Sequence, residues 1–197
     1  MSSNGLRRNP RSAAGIALAA LALGLTALGG GQAVAAPQDG AETPSLGTVL
    51  QKGDTLAAVS DPFVIKNNNG KCLEITSSST ANGADAQQWT CKGQAGAVWR
   101  FKPAGDGFYY FVNEHSKKCL EIEGSSTKNG ANAQQWTCNG QAGAKWKWQE
   151  TRSGDGMTRY LFKNHSGKYL EITNSSTANG ANAQQWENKG QSGALWY

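Results

Sequence analysis

The sequence predicts an all-β fold of three internal repeats closed about a pseudo-threefold axis. Three observations predict it. One segment returns three times in register, turn residues punctuate short apolar runs, and no segment shows a sustained helical period with caps. The first copy runs Lys71-Cys72-Leu73-Glu74-Ile75, then Ala86-Gln87-Gln88-Trp89, then Trp99. The second runs Lys118-Cys119-Leu120-Glu121-Ile122, Ala133-Gln134-Gln135-Trp136 and Trp146. The third runs Lys168-Tyr169-Leu170-Glu171-Ile172, Ala183-Gln184-Gln185-Trp186 and Trp196. The repeat length is 47 residues from Trp89 to Trp136 and 50 from Trp136 to Trp186. Periods of this size mark units that cannot bury an apolar face alone.

The elements follow in order. Phe63-Val64-Ile65 and Cys72-Leu73-Glu74-Ile75 read as strands around the turn Asn67-Asn68-Asn69-Gly70. Tyr110-Phe111-Val112 and Tyr160-Leu161-Phe162 take the first place in the later copies. Asn82-Gly83, Asn129-Gly130 and Asn179-Gly180 are turn signals, and the Asn residues are read as turn formers. Ala86 to Cys91 alternates as a third strand, Gly93 to Gly96 turns the chain, and Val98 to Phe101 is a fourth. Gly105-Asp106-Gly107 and Gly154-Asp155-Gly156 separate the units. Four strands per unit give about twelve, closed so that no edge is left open. That arrangement is a β-trefoil. A three-bladed propeller falls below the usual blade count, and an open solenoid needs capping repeats. Leu73, Ile75, Trp99 and their copies are the expected core.

The chain before residue 62 reads differently. Arg7, Arg8 and Arg11 precede an apolar run from Ala13 to Leu28, and Ala33-Val34-Ala35 supplies a small-residue cleavage signal. Residues 1–35 are thus expected to be a secretory signal peptide cut after Ala35, with a retained anchor as the alternative. Asn9-Pro10 after the arginines favours general secretion. Residues 36–61 mix Pro, Gly, Ala and charges without a period, and are read as a flexible leader. Val49-Leu50 and Leu56 to Val59 offer a short helix or docking segment there. Residues 62–197 form one domain by length. Losing the three signal-peptide arginines takes the formal charge from +5 to +2. With no Lys/Arg run, that charge speaks against a nucleic-acid partner. No other apolar span reaches membrane length.

The four cysteines support export. Cys72 and Cys91 are 19 residues apart, as are Cys119 and Cys138. The matching positions of the third copy, Tyr169 and Asn188, lose both partners together. Disulfides Cys72–Cys91 and Cys119–Cys138 are therefore expected. Each is worth about 3 kcal/mol in the chain-entropy model. Without them, the third repeat is expected to have the looser loop. No C-x-x-C spacing exists, and His115 and His165 sit elsewhere in the repeats, so neither a zinc site nor any cofactor is expected.

Three residue types are candidates for a site. Trp89, Trp136 and Trp186 are either core residues or flat apolar platforms for a sugar face. The second tryptophan of each repeat suits the core better, which favours the platform. Glu74, Glu121 and Glu171 lie between Leu and Ile, so alternation turns them away from the core. They are either acceptors for ligand hydroxyls, or else a solvated strand face or partners for Lys71, Lys118 and Lys168. Gln87, Gln134 and Gln184 are either ligand groups or structural amides bonding backbone.

The Lys71–Ile75 strand, Asn82-Gly83 and Gln87-Gln88-Trp89-Thr90-Cys91 together resemble the ricin-B-type lectin family, over all three repeats. The resemblance implies a β-trefoil carbohydrate-binding module of a secreted protein. The family's sugar-holding Asp falls on Glu74, Glu121 and Glu171, its stacking aromatic on Trp89, Trp136 and Trp186, and its supporting Gln on Gln87, Gln134 and Gln184. Two departures stand out. The acid is one methylene longer, and the family's Asn-Gln-x-Trp reads Gly96-Ala97-Val98-Trp99, Gly143-Ala144-Lys145-Trp146 and Gly193-Ala194-Leu195-Trp196. The Asn is missing each time, and Gln94, Gln141 and Gln191 are the candidates to replace it.

The expected function is a secreted, monomeric, non-catalytic module with up to three weak sugar sites, favouring polysaccharides or glycan-dense surfaces through avidity. The alternative is an interaction or inhibitor protein on the same scaffold, acting on an extracellular partner without sugar. A glycosidase needs two paired carboxylates, and the acids here sit at equivalent places in separate repeats. Neither histidine falls in a triad signature.

Overall fold

A computed structural model describes residues 61–197. The signal-peptide and leader readings, including the segments 49–50 and 56–59, lie outside the described residues. Eleven strands are present, with no α-helix among the described residues: β1 (Phe63–Val64), β2 (Cys72–Ile75), β3 (Ala86–Trp89), β4 (Val98–Gly105), β5 (Phe108–Asn113), β6 (Cys119–Ile122), β7 (Ala133–Trp136), β8 (Trp146–Arg152), β9 (Thr158–Asn164), β10 (Tyr169–Ile172) and β11 (Ala183–Trp186).

Each repeat contributes one short hairpin, β2–β3, β6–β7 or β10–β11, in the same register. Long hairpins, β4–β5 and β8–β9, join consecutive repeats, with Gly105-Asp106-Gly107 and Gly154-Asp155-Gly156 at their tips. The third long hairpin has no covalent tip. Lys66 and Tyr197 exchange backbone hydrogen bonds at 2.8 and 2.9 Å, so the two ends of the domain meet. The twelfth strand is reduced to Trp196, bridging Asn67 and Tyr160.

The core follows the alternation read from the sequence. Leu73, Ile75, Trp99 and all their copies are fully buried. Each core tryptophan solves its one polar problem in the same way. Trp99, Trp146 and Trp196 donate Nε1–H to the carbonyls of Leu73, Leu120 and Leu170 at 2.9–3.0 Å. Burying an indole without that acceptor would leave a donor unpaired in apolar surroundings. Phe63, Phe101, Phe111 and Phe162 pack between the repeats, with Phe101 stacked on Trp148 at 5.1 Å. No buried side-chain nitrogen or oxygen among the described residues lacks a partner.

Both expected disulfides are present, Cys72–Cys91 and Cys119–Cys138. Each ties the start of a short hairpin to the loop that follows it. In the third repeat Lys168 meets Glu187 at 3.7 Å near the corresponding place.

Polar clasps run cyclically from repeat to repeat. The second Gln of each Gln-Gln pair is buried and donates to two carbonyls of the preceding repeat's polar loop. Gln88 Nε2 reaches Ser176 and Ala178, Gln135 reaches Ser79 and Ala81, and Gln185 reaches Ser126 and Lys128, all at 2.7–2.9 Å. The Asn of each Asn-Gly turn works in the same direction. Asn179 Oδ1 accepts the N–H and hydroxyl of Thr90, Asn82 those of Thr137, and Asn129 the N–H of Glu187. These Asn residues are turn formers, as read, and also rivets between repeats.

Candidate functional site

The hairpin register builds the site. Glu74 lies directly across from Gln87, Glu121 from Gln134 and Glu171 from Gln184. Opposed residues of an antiparallel pair project from the same face. The tryptophan two residues beyond the Gln projects there too, because the strand period is two. One face of each hairpin therefore carries Trp, Gln and Glu, and the other carries the core residues and the clasping Gln.

The tryptophans are surface residues. Trp89 is 37% exposed and Trp136 is 39% exposed, while Trp186 is partly covered. The carboxylates are not solvated. Glu74, Glu121 and Glu171 are each only 5% exposed. They do not pair with Lys71, Lys118 or Lys168 either, so both parts of the solvated-face reading are corrected. Two side-chain amides hold each carboxylate instead. Gln87 Nε2 donates to Glu74 Oε1 at 2.9 Å and Gln94 Nε2 to Oε2 at 2.5 Å. Gln134 and Gln141 do the same for Glu121 at 3.0 and 2.6 Å, and Gln184 and Gln191 for Glu171 at 2.8 and 2.5 Å. A buried charge needs such donors to offset its lost hydration.

Gln94, Gln141 and Gln191 are therefore orienting residues. The Gln94 amide spends its second N–H on the Thr90 carbonyl, and its oxygen takes the Lys92 N–H at 2.7 Å. The copies repeat this pattern. With both donors committed, these amides do not stand in for the missing Asn. Nor does the site have room for one. A Cβ on Gly96 would lie 2.8 Å from the Ile75 carbonyl, on Gly143 2.5 Å from that of Ile122, and on Gly193 2.6 Å from that of Ile172.

Each Trp–Glu face opens into a groove. The first, about 340 Å³, is lined by Glu74, Gln87, Trp89, Gln94, Lys92 and the Thr76–Ser78 turn. The second, about 590 Å³, is lined by Glu121, Gln134, Trp136, Gln141, Asn139, Gly83 and the Glu123–Ser125 turn. The third, about 240 Å³, is lined by Glu171, Gln184, Trp186, Gln191, Lys189, Asn174 and Ser175. Sequence reading missed what backs each tryptophan, because it comes from another repeat. The glycine of each Asn-Gly turn faces the next repeat's tryptophan. A Cβ on Gly180 would sit 3.6 Å from Trp89 Cζ3, on Gly83 3.7 Å from Trp136, and on Gly130 3.3 Å from Trp186. A glycine suits the place twice over, since φ is near +80° at all three.

A family profile described as ricin-type beta-trefoil lectin domain-like matches residues 57–136 and 99–186. The chain belongs to that family. Among solved structures, this ricin-type trefoil is similar to ThreeFoil, a designed 3-fold symmetric protein. The two share 34% identity at a TM-score of 0.63, over 68% of this chain and 95% of the design. It is also similar to the exo-beta-1,3-galactanase 1,3Gal43A from Clostridium thermocellum, with 31% identity and a TM-score of 0.63. That match covers 68% of this chain but 29% of the galactanase. The agglutinin from Abrus precatorius shares the fold at 20% identity and a TM-score of 0.56, over 73% of this chain and 49% of its own. A comparison with curated protein sequences found no match.

Proposed function

We propose that this trefoil is a secreted, non-catalytic lectin module with three sugar sites, one per repeat. The observation that carries the proposal is a carboxylate fixed by two amides on the same hairpin face as a tryptophan, built three times, with the indole exposed in the first two copies and partly covered in the third. An ionised carboxylate has about four lone-pair positions, and the amides occupy two. The remainder can accept sugar hydroxyls. Because both carboxylate oxygens are already held, little ordering remains to be done at binding. Trp89, Trp136 and Trp186 stack against the apolar face of the ring. Glu74, Glu121 and Glu171 accept its hydroxyls. Gln87, Gln134 and Gln184 hold the carboxylates and border the grooves.

The module spans residues 62–197, behind a signal peptide at 1–35 and a leader at 36–61. Two disulfides suit an oxidising compartment outside the cytosol. The partner is a carbohydrate, with neither nucleic acid nor membrane engaged after signal cleavage, and the protein acts as a monomer. Among the described residues no helix is long and apolar enough to cross a membrane. The first and third grooves each hold one carboxylate, and in the second, where Glu123 joins Glu121, the floor acid is likewise committed to two amides; this suits binding rather than paired-acid hydrolysis. The resemblance to part of a galactanase makes galactose-containing polysaccharides the first glycans to try. A glycan array and a polysaccharide pull-down test the proposal. Binding to a defined glycan class is expected. Capture of a protein partner with no glycan bound at millimolar sugar would favour the inhibitor reading instead.

A further inference from the structure

The three grooves share one floor and differ at the rim, and the difference is one of charge. In all three, both oxygens of the floor carboxylate hold an amide donor. The floor's charge is therefore common to the sites and does not distinguish them. The rim position just after the second strand is Lys92 in the first groove and Lys189 in the third, but Asn139 in the second. The second groove also carries Glu123 where the others have Thr76 and Thr173.

We propose that the first and third grooves prefer sugars carrying a negative charge, a carboxylate or a sulfate, and that the second prefers neutral sugars. The inference rests on the sugar-binding reading of these grooves. The backbone of Lys92 is pinned, since its N–H donates to Gln94, the amide that also holds Glu74. Lys189 is pinned in the same way by Gln191. Neither ammonium takes part in the ion pairs formed among the described residues. The nearest acid in sequence to Lys189 is Glu187, and it is engaged by Lys168 instead. Both lysines are thus left at the rim of a groove that holds an aromatic platform. The second groove has the opposite balance, two acids and no lining cation. An exposed charge contact of this kind changes affinity by about threefold to fivefold and is screened by salt.

The test reads each site by its own indole. The protein purified after expression of the whole chain is labelled with nitrogen-15, and the Nε1–H signals of Trp89, Trp136 and Trp186 are assigned by single Trp→Phe variants. Titrants are two matched pairs, galactose with galacturonate and glucose with glucuronate, and then galactose 6-sulfate. At low ionic strength, an anionic sugar is expected to bind about threefold to fivefold more tightly than its neutral partner at Trp89 and Trp186, and not at Trp136. The carboxylate and sulfate arms show which anion is preferred. The advantage should vanish in Lys92→Asn and Lys189→Asn, and Asn139→Lys should confer it on the second site. Equal ratios of anionic to neutral affinity at all three indoles would overturn the proposal while leaving the lectin reading intact. Indoles that respond to no sugar at all would overturn both.

Discussion

Gln94 donates to Glu74 at 2.5 Å across 20 residues of sequence. The bond makes the carboxylate a preset acceptor, since Gln87 fixes its other oxygen at 2.9 Å. Gln94→Ala should release one oxygen and let the acid rotate. Sugar affinity at the first site is expected to fall roughly tenfold, with the other two sites unchanged. The variant also gives up the bonds to the Thr90 carbonyl and the Lys92 N–H and leaves a buried carboxylate short of a donor, so the stability loss should be about 2–3 kcal/mol. Site-resolved titration of the indole signals, beside a urea melt, separates the two effects.

The cyclic clasps should make the trefoil unfold as one cooperative unit. Gln135→Leu removes both donors to the Ser79 and Ala81 carbonyls and leaves those carbonyls short of a partner. A cost of about 2–4 kcal/mol is expected, in the range for a buried polar network that loses one member. Urea unfolding followed by far-UV circular dichroism and by tryptophan fluorescence should shift together. Separate transitions for the two probes would mean that the repeats unfold independently.

Much of this was legible in the sequence, because threefold repetition amplifies weak signals. The alternation around Leu73 and Ile75, the buried Trp99 set and both disulfides were read correctly from spacing and from paired loss in the third copy. What could not be read is which copy touches which. Repetition gives Gln88, Gln135 and Gln185 the same neighbours in sequence, while their partners lie in the preceding repeat. The Gly180 wall behind Trp89 was hidden for the same reason. The role of Gln94 stayed open in the sequence because a polar side chain near a site can face the ligand or the residue that holds it. Only the 2.5 Å contact with Glu74 decides between them. The Glu74 strand position told correctly which face the acid takes, but not that two amides would cover it.

Acid should weaken one contact made by residues that line none of the three grooves. The Arg100 guanidinium and then the Lys117 ammonium, both at 2.7 Å, hold the Glu114 carboxyl down from its ordinary 4.5 to about 2. A carboxyl lowered on folding adds stability above its unfolded value and loses it as pH falls through the folded one. The contribution should therefore be intact above about pH 4.5 and disappear towards pH 2. Glu114 is partly exposed, so the effect is at most about 1 kcal/mol. Thermal melts of the wild type and Glu114→Gln should differ at pH 6 and converge near pH 2.

The disulfides should matter unequally to the sites. Cys72→Ser with Cys91→Ser is expected to cost about 3 kcal/mol, from the closed loop it opens. The same change should loosen the loop bearing Lys92 and Gln94, weakening the first site. The third site has no disulfide, so a reductant should leave its affinity unchanged in protein that stays folded. Titration of the Trp186 indole with and without dithiothreitol checks this.

The most direct measurement is calorimetric titration of a bound glycan fragment against single and combined platform variants. Three sites per chain are expected for the wild type, two for each of Trp89→Ala, Trp136→Ala and Trp186→Ala, and none for the triple variant with its melting transition intact. Undiminished binding by the folded triple variant would contradict the account.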